Sequence, residues 1–352
     1  MKHRVLATGL ILVLAAVLGL PPVGDIASAM PADAPETTIQ ASPSPAPDAQ
    51  GWSSDWEIIA PGQTITLVHN LGGAVEDYQV QLWFLDLPLG QGYGINIFGY
   101  GGIEADGIHY GTYWQNLTPT TIQVVRGPVD GTADRVRVWI WKPSPAPDYC
   151  SAWLDTTPSD FTQAVHQLGG DPEEYVITLW FKDGAGRIHQ QGYGGLEDAG
   201  TQTGAYWVGP TVSYVPVYRL PGDSFVDQVR VCVTVPDDPP AYDSGWWPIA
   251  PGTTLTLTHN VGGSVNSYIV DVEFYDVEAY GIHVVGMGGD FFDPPLPADG
   301  ADTIEHGAHW QRLTTSTIEV VRQDDDNYVD QVRVRIWQRK VQVFLPLVLR
   351  GY

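Results

Sequence analysis

Several sets of polar side chains recur along this chain at matched positions, and any chemistry would have to start from them. One is His69, His166 and His259. A second is Asp86, Asp183 and Asp276. A third joins an arginine to two acids, as Arg126, Asp130 and Asp134; Arg219, Asp223 and Asp227; and Arg322, Asp326 and Asp330. A guanidinium can hold a carboxylate with two parallel hydrogen bonds, so the third set reads as a structural ion pair clasping a turn. The histidines share a strand face with apolar residues, which suits a backbone-bonded, partly buried ring, with ligand contact as the alternative. Arg137, Arg230 and Arg333 recur as well, together with Arg135 and Arg335 on what reads as the wet face of the last strand.

Metal and catalytic chemistry find little support in these sets. Asp324, Asp326 and Asp330 are the calcium candidate, because carboxylate oxygens are what that ion takes, but the twelve-residue loop order with its glycine and glutamate is absent. Zinc needs three or four converging ligands, and each copy offers one recurrent histidine. His189 and His283 match each other, but Asn96 stands at that position in the first copy. Acid pairs for glycoside hydrolysis are too common in so acidic a chain to mean much. A nucleophile elbow of the G-x-S-x-G type is absent. The expectation is a protein without catalysis and without a required cofactor. Binding is the better use of repeated sites, since linked weak sites gain avidity. The candidate ligand-binding residues are Tyr100, Trp114, Tyr193, Trp207 and Trp310 beside glycine-rich loops, with the His69 and Asp86 sets next to them. Planar aromatics beside polar groups suit sugar rings.

The elements that position these residues come from an internal repeat. Trp56, Pro61, His69, Gly72-Gly73 and Tyr78 return at Trp153, Pro158, His166, Gly169-Gly170 and Tyr175, and again at Trp246, Pro251, His259, Gly262-Gly263 and Tyr268. The period is about 95 residues. Inside each copy the pattern alternates, as in Val136, Val138 and Ile140 against Arg135 and Arg137, which is a half-buried strand. Short strands parted by glycine and proline turns, with almost no helix signal, predict an all-β fold of three tandem antiparallel β-sandwich modules at 51–142, 149–236 and 243–338. The proline-rich linkers between them are short, which predicts modules stacked in a row. The third copy carries an insertion at 290–305 in its glycine-rich loop region.

Outside the repeats, Lys2 to Arg4, the apolar run Val5 to Leu20 and Ala27-Ser28-Ala29 read as a signal peptide over 1–29. Residues 30–50 read as a disordered linker rich in proline and alanine, and 339–352 as an apolar tail too short to span a bilayer. A secreted, extracellular or cell-surface location follows, with no transmembrane segment in the mature chain. The formal charge of -24 argues against nucleic-acid partners. Export permits a disulfide between Cys150 and Cys232, which lie at the two ends of the second copy.

The run W-x-x-L-T-x-x-T-I-x-V-x-R before V-R-V-x-I-W is carried by Trp114, Leu117, Thr118, Thr121, Ile122, Val124, Arg126 and Val136 to Trp141. Trp310, Leu313, Thr314, Thr317, Ile318, Val320, Arg322 and Val332 to Trp337 repeat it, with Arg335 at the fourth place, while Pro210 and Val212 depart from it in the second copy. With the glycine turn and Tyr-x-Val strand, this pattern resembles the repeated units of bacterial secreted proteins related to the H-type lectin domain. The resemblance implies a six-stranded β-sandwich, frequent trimer formation and binding of N-acetylgalactosamine-type sugars. The functional expectation is therefore a secreted carbohydrate-binding, lectin-like adhesin whose partners are glycans or surface polysaccharide, with homo-oligomerisation left open. The alternatives are a structural envelope or matrix repeat protein without a ligand and, more distantly, a secreted glycan hydrolase.

Overall fold

The alternating strands of the first copy pair in the order Gly51–Ser53, Arg135–Trp141, Gln79–Asp86, Gly94–Asn96, and separately as Thr64–Val68, Thr121–Arg126, Thr112–Gln115. Every one of these pairings is antiparallel. The computed structural model describes residues 51–87, 92–105, 108–198, 201–289 and 305–339. The expected signal peptide, the linker 30–50, nearly all of the insertion 290–305 and the tail from 340 onward lie outside the described residues. The same strand orders return in the second copy, around Gln228–Thr234 and Tyr214–Arg219, and in the third, around Gln331–Gln338 and Thr317–Arg322. The fold is all-β and β-sandwich-like. Among the described residues the only helical turns are three short 3-10 segments, Val75–Asp77, Pro172–Glu174 and Val265–Ser267, so no helix there is long and apolar enough to cross a membrane.

Period-two burial explains this arrangement. Ile65, Leu67, Ile122, Val124, Val136, Val138 and Ile140 are fully buried and alternate with half-exposed residues along their strands, except that Trp139 between Val138 and Ile140 is buried as well. Each such side chain contributes about 1.5–3 kcal/mol by leaving water. Cys150 and Cys232 stand directly opposite each other on paired strands and form a disulfide. It closes 82 residues of chain, a loop for which chain entropy gives about 4–5 kcal/mol at most.

The three copies are not laid out in a row. His189 pairs with Gln115, and Gln190 N–H donates to Trp114 O at 3.1 Å, so the second copy extends a sheet of the first. Gly209 N–H donates to Ile282 O at 2.7 Å, joining the third copy to the second. Ile97 N–H donates to Trp310 O at 3.2 Å and Arg312 N–H to Tyr93 O at 3.0 Å, joining the third back to the first. The contacts close in a cycle. The reason for the departure is that each copy has an unpaired strand edge on one side and a partner for it on the other, so the last copy finds its partner in the first.

The glycine-rich loops make the same cycle at closer range. Gly192 N–H donates to Gly101 O at 2.7 Å, Gly286 N–H to Gly194 O at 2.7 Å and Gly99 N–H to Gly288 O at 2.9 Å. A Cβ on Gly101, Gly194 or Gly288 would sit 2.8, 2.7 or 2.7 Å from backbone of the neighbouring copy, and all three have positive φ. These glycines are required by the approach of two backbones.

Candidate functional site

The arginine–acid set folds as a buried fork. In the third copy Arg322 Nε donates to Asp326 Oδ2 at 2.8 Å, Nη2 to Asp326 O at 2.9 Å and Nη1 to Ile249 O at 2.9 Å. Asp326 also accepts N–H donors from Gly307, Tyr328 and Val329. Arg126 with Asp130, and Arg219 with Asp223, repeat the 2.8 Å contact. Burial pushes the Asp130 and Asp223 carboxyls up, against the pull of their arginines and hydrogen bonds. The outer acids Asp134, Asp227 and Asp330 stand 3.8, 3.6 and 3.8 Å from the same guanidinium and are half-exposed or exposed. This geometry corrects the calcium candidate. Asp326 is turned into its arginine and backbone donors, and among the described residues no group of three or more His, Cys, Asp or Glu side chains could hold a metal.

The histidine and aspartate sets are also tied into turns. His69 Nδ1 accepts from Leu71 N–H, His166 from Leu168 and His259 from Val261. Burial lowers the pKa of all three rings, and backbone carbonyls partly offset it. Each ring meets the edge of Tyr78, Tyr175 or Tyr268, whose hydroxyl donates to the carbonyl of Gly72, Gly169 or Gly262. That contact accounts for the recurrence of His, paired Gly and Tyr together. Asp86 accepts from Tyr93 N–H, Asp183 from Ala185 and Arg187, and Asp276 from Glu278, Ala279 and Tyr280. His69, His259, Asp86 and Asp276 are buried, while His166 and Asp183 keep partial exposure.

The aromatic candidates are where the structure corrects the sequence most. Trp114, Trp207 and Trp310 are 0, 1 and 2% exposed, Tyr100 is buried, and Tyr193 is half-buried. They do not line an open loop end. Trp114 meets Trp180 of the next copy edge-on at 5.8 Å, and Trp310 meets Trp83 at 5.5 Å. Tyr100 packs against Tyr193 at 5.7 Å, and its hydroxyl donates to Gln190 Oε1. The cycle of copies seals these rings in the seams. The same contacts correct the wet-face reading of Arg333 and Arg335, which are buried. Arg333 Nη1 donates to Glu173 O at 2.7 Å across the seam, and Arg335 Nη2 reaches Tyr175 O, Asp271 and Glu273. Arg135, Arg137 and Arg230 keep partial exposure.

Sequence reasoning passed over Gln81, Gln190, Asp271 and Glu273. Glu273 is fully buried where Trp83 and Trp180 stand in the other copies, and burial beside Asp271 pushes its carboxyl up against the pull of Arg335. The available signal was a polar residue interrupting an otherwise apolar or aromatic aligned position. A second pair of findings reads the other way. His189 Nε2 bonds Phe225 O and Nδ1 accepts from Gln191 N–H, and His283 does the same with Tyr328 O and Val285 N–H. Asn96 makes both bonds too, from Nδ2 to Thr132 O and from Phe98 N–H to Oδ1. These side chains bridge two turns. No protein-family model, curated protein or solved structure matches the chain.

Proposed function

We propose that this chain is a secreted, non-catalytic, carbohydrate-binding protein of lectin-like type, built from three β-sandwich modules at 51–142, 149–236 and 243–338 that close on one another. The observation that carries the reading is the cycle of backbone hydrogen bonds linking each glycine-rich loop to the next copy. It holds three related surfaces at fixed separation within one chain, which is the arrangement that turns weak sugar contacts into useful avidity. The resemblance to H-type lectin units and its frequent trimers agrees with such closure. The sugar would meet the outer surface of the modules, since the seam aromatics are occupied by packing.

One observation favours a second reading. Burial of Trp114, Trp207, Trp310 and Tyr100 removes the stacking platforms expected of a sugar site, as suits a structural surface component with no ligand. A glycan array on the intact secreted protein, followed by calorimetric titration of each hit, separates the two. Saturable binding at up to three sites per chain supports the lectin reading. Silence on the array with millimolar sugars, together with assembly into ordered polymers, overturns it in favour of the structural one.

A further inference from the structure

Where the central strands of the three copies meet there is a cavity of about 180 Å³. Its wall takes Gln79 to Trp83 from the first copy, Val176 to Thr178 from the second and Ile269 to Val272 from the third. Tyr100, Tyr193, Met287, Trp207 and Trp310 also line it, with Ile97, Trp141, Gln190 and Val284. The lining is half-exposed at the polar residues Gln79, Gln81, Thr178 and Asp271 and also at Trp141, Val176, Tyr193, Ile269 and Val270, while Trp83, Tyr100, Trp207, Met287 and Trp310 are among its buried residues. The cavity therefore has a mouth of mixed polar and apolar residues and a largely aromatic floor.

We propose that this cavity binds one small, uncharged, planar aromatic molecule carrying a hydroxyl or amide group, of about the size of phenol. Four observations carry this. A dry cavity of roughly 150 Å³ accepts benzene, so this one has room for a ring and one polar substituent. Its lining is rich in indole, phenol and thioether side chains, which are good partners for a flat ring. Three buried polar atoms of the wall have no hydrogen-bond partner among the described residues: Trp83 Nε1 and Trp207 Nε1, both donors, and Gln81 Oε1, an acceptor. Buried polar atoms are rarely left so, and one hydroxyl or amide on a ligand, accepting from the Trp83 indole N–H and donating to Gln81 Oε1, would serve two of them. Charge is disfavoured on either side. The Asp271 carboxylate would repel an anion, and it is already held by Arg335 at 2.7 Å, which leaves little for a cation.

The fourth observation is divergence among equivalent positions. The scaffold residues that shape the seam are the same in all three copies, as with Trp114, Trp207 and Trp310. The cavity wall is not the same in each: Gln81, Thr178 and Asp271 are equivalent, and so are Ile97, Gln190 and Val284, while Met287 stands where the other two copies have Tyr100 and Tyr193. The site is thus single and asymmetric, one per chain. It is separate from the outer surface assigned to glycans and does not rest on that reading.

Equilibrium dialysis of the full-length protein against radiolabelled phenol tests the proposal, with benzene and benzoate followed by thermal shift. One phenol per chain is expected, with benzoate giving no shift. Gln81→Leu, at a half-exposed position, should weaken phenol about tenfold, the value of one hydrogen bond, and change benzene less than about twofold. Val272→Phe should fill the cavity and abolish binding of both. Absence of saturable phenol binding to the folded protein overturns the proposal, as does a stoichiometry of three. If Val272→Phe fails to fold, Gln81→Leu decides alone: unchanged phenol affinity there rules the site out.

Discussion

His283 is a built-in acid sensitivity, and its strength follows from where the ring lies. It is 0% exposed, and burial lowers its pKa from 6.5 to about 4, against the backbone carbonyl of Tyr328 and the acids Asp276 and Asp330. Nδ1 accepts from Val285 N–H, so the proton sits on Nε2 and the ring is neutral in the fold. Between pH 6.5 and 4 the unfolded chain binds the proton and the folded chain does not. Stability is complete above pH 6.5 and is lost as pH falls through that window. At pH 4.5 the loss from this one ring is about 2.5 kcal/mol. Asn96 already makes both bonds in the first copy without a titrating group. His283→Asn should therefore keep the turn bridge, cost about 1 kcal/mol at pH 7 through lost volume, and remove this ring's share of the acid loss. The assay is urea unfolding followed by tryptophan fluorescence at pH 7.0, 5.5 and 4.5. His189, lowered to about 4 by the same cause, is present in both proteins and cancels in the difference. If the variant loses as much stability as the parent between pH 7.0 and 4.5, the reasoning about this ring is refuted.

Two other outcomes follow from buried contacts. Arg322→Ala should cost about 3–5 kcal/mol, because it leaves Asp326 and the Ile249 carbonyl buried without their partner, although three backbone donors stay on the carboxylate; an unchanged urea midpoint would show the fork to be solvated in solution. Gly194→Ala places a Cβ 2.7 Å from Met287 backbone at a φ of +88°, so it should lower the melting temperature by loosening the seam between second and third copies, and a melting temperature at or above the parent's would contradict the close approach.

The strands could be read from the chain because they depend on local alternation. Val136, Val138 and Ile140 bury one face whatever lies beyond it. The arginine fork was legible for a related reason, since its partners are four residues apart and meet across one turn. The aromatic candidates were misread because their burial is not local. Trp114 and Trp310 are sealed by Trp180 and Trp83 of another copy, and nothing within about 60 residues of either tryptophan announces that partner. Arg335 misled in the same way. Alternation alone gives it a wet face, and only the neighbouring copy's Glu173 and Tyr175 carbonyls turn that face into an interior.

The cycle of contacts has a consequence for what can evolve at its centre. Three identical subunits closing on an axis must place the same side chain there three times, so an axial site is symmetric by construction. One chain with three copies has no such constraint. The positions that make the closure, Gly101, Gly194 and Gly288, admit only glycine and stay alike. The positions that face the cavity are free to differ, and Gln81, Thr178 and Asp271 do. Glu273 in place of a tryptophan shows how far this goes. A buried carboxylate is tolerable once in the assembly because Arg335 is placed to meet it at 2.8 Å. Three copies would each need that arginine, and the other two copies carry Trp139 and Cys232 at the equivalent position. Linking the copies in one chain is what lets the centre carry an asymmetric, partly polar wall.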